Sequence, residues 1–139
     1  MSPAADGLLD TSTVILLTRL TDPAQLPAHP SISTITLAEL SVGPLVADDP
    51  TERAARQAHL QQAEADFEPI PFDAASARVF GRVASGLRSS GRKRAARAFD
   101  ALIASVAIAH ELPLYTVNPE DFEGVAELEL VAVPHPNGS

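Results

Sequence analysis

Short apolar runs alternate with longer stretches of helical spacing, and this alternation limits the fold more than any other feature of the chain. Gly7–Leu8–Leu9 ends in Asp10 and is followed by Thr11–Ser12–Thr13 and the apolar Val14 to Leu17. That order predicts a buried strand, a capping polar turn and a helix. Pro23, Pro27 and Pro30 break the chain. Ser31 to Thr34 is short and partly β-branched, which predicts a second strand. Thr36 is placed to cap a helix carrying Leu37, Leu40 and Leu45, interrupted at Gly43–Pro44. Asp49–Pro50–Thr51–Glu52 opens a further helix that runs to Glu68, and Glu68 to Phe72 is a short strand candidate. Asp73 caps a helix with Ala77, Phe80, Ala84 and Leu87 on one face, ended by Ser89–Ser90–Gly91. Phe99, Leu102, Ile103, Val106 and Ala107 form another stripe. Leu112 to Val117 and Leu128 to Val133 predict the last strands. Strands alternating with helices define the α/β class, with a mostly parallel central sheet covered on both faces.

A length of 139 residues fits one domain. Apolar residues at 45% against 20% charged exclude a disordered chain. The absence of Cys excludes disulfide frameworks, thiolate zinc sites and cysteine nucleophiles. With no Trp and a single Tyr, an aromatic platform for stacking bases is not expected. The longest near-apolar stretch, Ala101 to Ala109, is far short of the ~18 residues of a membrane span. No basic region precedes an apolar run at the N-terminus. The expectation is a cytoplasmic protein with no membrane partner. Met1 to Asp6 and Pro134 to Ser139 are expected to be flexible ends around a domain spanning 7–133.

The net charge is −8, from 18 acids against 10 Lys and Arg. That balance does not fit a general nucleic-acid coat, whose affinity comes from many phosphate contacts. Half of the basic residues nevertheless fall in one segment: Arg88, Arg92, Lys93, Arg94 and Arg97. They are candidates for gripping a polyanion, since Arg suits bidentate phosphate binding. The plainer reading is a solvated, charged helix start, or a surface for a partner's acids.

In open α/β sheets, ligands bind outside the carboxyl ends of the strands. Asp10 directly follows the first predicted strand, and Glu39 lies one turn into the helix after the second. Asp121 lies just past the Leu112–Val117 strand, and Asp100 near the start of the Phe99–Ala107 helix. Four carboxylates from four segments thus map to one predicted rim. Each has an ordinary alternative: Asp10 as a helix cap, Asp100 as a first-turn acid, Glu39 as a solvated residue, Asp121 as a turn residue. Gathered acids repel one another unless a counter-charge is present. A hard divalent cation, Mg²⁺ or Mn²⁺, supplies it through oxygen ligands and suits phosphodiester hydrolysis. Asp10 and Asp100 are the candidate direct ligands. His29, His59, His110 and His135 lie in separate segments and are read as neither ligands nor bases.

Four segments resemble the signature blocks of PIN-domain ribonucleases of the VapC type, the toxin half of bacterial toxin–antitoxin pairs. They are Leu8–Leu9–Asp10–Thr11–Ser12, Ser33–Thr34–Ile35–Thr36–Leu37–Ala38–Glu39–Leu40, Phe99–Asp100–Ala101–Leu102–Ile103–Ala104 and Leu114–Tyr115–Thr116–Val117–Asn118–Pro119–Glu120–Asp121–Phe122. Order and spacing agree over nearly the whole chain. The resemblance implies a single PIN-like α/β/α domain and a Mg²⁺- or Mn²⁺-dependent endoribonuclease. By it, Asp10, Glu39, Asp100 and Asp121 carry over as the acidic quartet, Thr11 or Ser12 as a supporting hydroxyl, and Asn118 as a further polar contact. It also implies a homodimer, or a heterotetramer or larger assembly with a VapB-type antitoxin, whose tail arginine enters the acidic pocket. The helices over Thr36–Val46 and Asp49–Phe67 are candidates for the antitoxin groove.

Two other classes compete. Asp10–Thr11–Ser12 after a strand is similar to aspartyl-nucleophile phosphatases and receiver-like phosphoacceptors. Those want a second Asp where Ser12 stands, and a later Lys, of which Lys93 is the single example. The other is a non-catalytic binding module whose acidic pocket holds a partner arginine.

Overall fold

The structure, a computed structural model, describes residues 6–87 and 93–137. Among the described residues, four strands make one parallel sheet: β1 (Asp6–Leu9), β2 (His29–Ser31), β3 (Leu114–Thr116) and β4 (Leu130–Ala132), in the order β2-β1-β3-β4. The α-helices of the described residues are α1 (Thr11–Ile15), α2 (Thr34–Val42), α3 (Pro50–Asp66), α4 (Ala74–Leu87) and α5 (Arg94–Ala109).

Successive strand residues point to opposite faces, and the two cores follow from this. Leu8 and Leu114 join Val83, Leu87, Ile103 and Val106 of α4 and α5. Their neighbours Leu9 and Tyr115 join Val14, Leu40 and Ala63 of α1, α2 and α3. The sheet is therefore covered on both faces, as the alternating sequence requires. Gly7 permits the close pairing of β1 with β3, since a Cβ there would lie 2.6 Å from the Tyr115 ring.

The helix starts match their sequence signals. The Asp49 carboxylate accepts from the Glu52 N–H at 2.8 Å, and the Asp73 carboxylate accepts from the Ser76 N–H at 3.0 Å. Some boundaries differ from the sequence expectation. The second strand is His29–Ser31 rather than Ser31–Thr34, because Ser33 serves as the cap of α2, accepting from the Thr36 N–H. Thr36 is thus inside the helix and is not its cap. Glu68 to Phe72 contributes one isolated parallel bridge, Ser33 with Ile70, in place of a strand. Asp6 already belongs to β1. Helix α5 begins at Arg94, so Asp100 lies beyond the first turn. The Ser89–Ser90–Gly91 helix end lies outside the described residues. Among the described residues, no helix is long and apolar enough to cross a membrane.

Candidate active site

All four strands are parallel, so all four carboxyl ends open on one rim. Asp10 leaves β1 at that rim as the N-cap of α1, and its N–H donates to the Tyr115 carbonyl at 3.3 Å. Its side chain is buried, with 4% exposure. Oδ1 accepts from the Thr13 N–H at 3.1 Å and from the Thr13 hydroxyl. Oδ2 accepts from the Ser12 hydroxyl at 3.0 Å and the Thr116 hydroxyl at 2.7 Å. These four donors are neutral. They fix the orientation of the carboxylate and leave its charge uncancelled.

The web reaches further along the rim. The Asn118 amide donates to Ser12 Oγ at 3.2 Å, and the Asn118 N–H donates to Thr116 Oγ1 at 3.0 Å. The Val117 N–H donates to Thr13 Oγ1 at 3.1 Å. On the other side, the Thr11 hydroxyl donates to Glu39 Oε1 at 2.6 Å and lies 3.0 Å from Thr36 Oγ1. A hydroxyl has one proton. Thr11 spends it on Glu39, so Thr36 donates to Thr11.

Hydrogen bonds therefore link Asp10 with Ser12 and Asn118, and Glu39 with Thr11. Asp100 is a buried carboxylate, 7% exposed, in the first half of α5. Asp121 is half-buried in the 3-10 turn Pro119–Phe122, its N–H donating to the Asn118 carbonyl at 3.0 Å. Among the described residues, no three acidic or histidine side chains form a ready group for a metal ion. The sequence reading gave no role in the site to Thr13, Thr36 or Thr116, three buried threonines that brace the acids directly or, for Thr36, through Thr11. Thr116 carried the same signal as the acids, a polar residue at a strand's carboxyl end.

Of the basic segment, Arg88 and Arg92 lie outside the described residues. Lys93 is the exposed N-cap residue of α5, and Arg94 and Arg97 are within the helix rather than before it. With Phe80, Ala84, Leu87 and Ala101, the two arginines line a groove of about 340 Å³ between α4 and α5. Their stems cover apolar surface there.

A parallel α/β domain with a hydroxyl-braced acidic site at its strand ends is the class that this geometry defines. The chain belongs to the PIN-domain family, whose model matches residues 8–128. Its relatives within that family include Ribonuclease VapC5 of Mycobacterium tuberculosis, 39% identical over 137 residues, covering 95% of this chain and 98% of that protein. Ribonuclease VapC4 of the same organism is 32% identical over 130 residues, covering 91% and 96%. Among solved structures, VapBC-5 of Mycobacterium tuberculosis, a member of the VapBC family of toxin-antitoxin systems, contains a similar chain. Its TM-score is 0.76 at 37% identity, covering 93% of this chain and 99% of that one. VapBC2 from Rickettsia felis, bound to a DNA fragment from their promoter, matches with a TM-score of 0.68 at 25% identity, covering 92% and 98%.

Proposed function

We propose that this protein is a metal-dependent endoribonuclease that hydrolyses RNA phosphodiester bonds and acts as the toxin of a VapBC-type pair. Its relatives are named ribonucleases, and its structural neighbour is a toxin–antitoxin system. The observation that carries the reading is the buried Asp10 carboxylate, held by four neutral donors at the carboxyl ends of a parallel sheet.

The donor chemistry of this rim fits a hard cation. The side chains gathered there offer carboxylate, hydroxyl and amide groups, and the chain has no thiolate to favour a softer metal. Mg²⁺ needs only one or two direct carboxylates because it keeps several waters. The lack of a three-acid group among the described residues is compatible with that demand. Asp10 and Asp100 would hold Mg²⁺, or Mn²⁺, which when bound polarises a phosphoryl oxygen and lowers the pKa of a water. Ser12, Thr13 and Thr116 keep the Asp10 carboxylate aimed, and Thr11 orients Glu39. Glu39 and Asp121 add negative charge beside the site, and Asn118 offers a polar contact to substrate. Lys93, Arg94 and Arg97, with Arg88 and Arg92, contact the RNA backbone.

A VapB-type antitoxin is the proposed partner, with a homodimer or a larger mixed assembly as the working form. Val42, Leu45 and Val46 support this reading, being 50%, 83% and 61% exposed at the last residue of α2 and in the 3-10 turn Gly43–Val46 that follows it. Large apolar side chains exposed together mark interaction surfaces.

The test is cleavage of structured RNA with Mg²⁺ or Mn²⁺ titrated in, and with chelator added. Cleavage should depend on the cation and fall at least about a hundredfold in Asp10→Asn and in Asp100→Asn. Full cleavage by either variant, or cleavage in chelator, would overturn the proposal. Partner binding by a wild-type protein that never cuts RNA would favour the non-catalytic module.

A further inference from the structure

One strand over from Asp10, a hollow of about 610 Å³ opens between the exits of β3 and β4. That size lies within the roughly 300–1,000 Å³ of small-ligand sites. Buried Val117 and Val133 form part of its wall, and Asn118, Glu120, His135 and Asn137 supply its polar groups. Asn118 belongs to both places, because its amide also donates to Ser12 Oγ beside the Asp10 carboxylate. A ligand group in the hollow is therefore next to the acidic site.

The far wall is held in place by specific contacts. The Val133 N–H donates to the Thr116 carbonyl at 2.8 Å, continuing the pairing of β4 with β3. The Arg19 guanidinium donates to Asn137 Oδ1. The Asn137 N–H donates to His135 Nδ1 at 3.1 Å. A neutral imidazole that accepts at Nδ1 carries its proton on Nε2, so the half-buried ring has a set orientation and one remaining donor.

We propose that this hollow is a subsite for a single unstacked base of single-stranded RNA, with guanine preferred. The inference rests on the ribonuclease reading above. Single-stranded bases are recognised by stacking on side chains such as His and by hydrogen bonds along their edges. His135 offers a ring face, and the apolar walls offer surface for the rest of the base. Glu120 sets the selectivity, since a carboxylate accepts hydrogen bonds and donates none. Guanine presents N1–H and N2–H₂ side by side, matching two carboxylate oxygens. Uracil presents one N–H between two carbonyl oxygens, which a carboxylate repels.

The test has two arms. Guanosine monophosphate and uridine monophosphate are titrated in turn into the protein, followed by backbone amide NMR. Guanosine monophosphate should shift the amides of residues 117, 118, 120, 132, 133 and 135, at about tenfold lower concentration than uridine monophosphate. Glu120→Gln should erase that difference, and His135→Ala should weaken both. Equal responses to the two nucleotides, shifts confined to other residues, or an unchanged preference in Glu120→Gln would overturn the proposal. In the second arm, a random single-stranded RNA pool is cleaved and the new ends are sequenced. The wild-type protein should enrich guanine at one position beside the cut. Glu120→Gln should lose that enrichment. An unaltered preference would overturn the subsite alone. A wild-type protein that cuts neither this pool nor structured RNA would overturn the ribonuclease reading, and the nucleotide titration would still decide the subsite.

Discussion

The Thr116 hydroxyl donates to Asp10 Oδ2 at 2.7 Å, across a sequence separation of 106 residues. Thr116 Oγ1 in turn accepts from the Asn118 N–H at 3.0 Å. Thr116→Val keeps the shape and removes both roles, leaving an acceptor and a donor without this partner. Stability should fall by about 1–3 kcal/mol, read as a lower urea midpoint at unchanged slope. RNA cleavage should fall about 10- to 100-fold, as expected when the support of a proposed metal ligand is removed. Thr116→Ser should restore most of both.

Two glycines of α4 should respond in opposite directions to the same change. A Cβ at Gly86 would sit 2.4 Å from the Gly124 carbonyl oxygen, while Gly81 has nothing within 4 Å. Gly124 itself has φ of +97° and cannot easily move aside. Gly86→Ala should cost about 1–3 kcal/mol through overpacking. Gly81→Ala should gain about 0.5–1 kcal/mol from helix propensity. Thermal melts of the two variants would separate them by sign.

Acid should remove a stabilising contact at the start of α4. The Ser76 N–H, then the Ser76 hydroxyl, hold the Asp73 carboxyl below its ordinary value, with a smaller contribution from nearby His110. A carboxyl depressed on folding stabilises the protein above the unfolded value of about 3.9, and that stability is lost as pH falls through the lower folded value. Melting temperatures of the wild-type protein should drop between about pH 5 and pH 2 more steeply than those of Asp73→Asn. Identical slopes would show that the cap does not titrate.

Binding of RNA through the basic segment should show in its salt dependence. Replacing Lys93, Arg94 and Arg97 by Gln should flatten the plot of log affinity against log salt by about 0.7 for each single-strand phosphate that is no longer neutralised. Fluorescence anisotropy with labelled RNA at several salt concentrations measures the slope. An unchanged slope would remove these residues from the RNA surface.

Apolar periodicity made the strands around Leu8, Tyr115 and Val131 legible, and Asp49 and Asp73 were legible as caps. The second strand was displaced because Pro30 reads as a breaker. It lies instead in β2, an edge strand where a missing N–H is tolerated. Ser33 was read as strand although its hydroxyl is committed to capping α2. The acids could be chosen because a charge after an apolar run is conspicuous. Thr13 and Thr36 look like ordinary β-branched residues, and Thr116 shows only as a polar residue at a strand's carboxyl end; what each braces emerges when parallel pairing brings distant segments together. Arg94 and Arg97 lack an apolar stripe of their own, which hid the true start of α5.

The first strand of the described residues, β1, is an interior strand, with β2 on one side and β3 on the other. During synthesis, β2 emerges soon after it, but the other flank waits for residues beyond position 113. Until then the carboxylate that follows β1 has no Thr116 to brace it. A growing polypeptide thus carries the acid long before it carries the finished pocket.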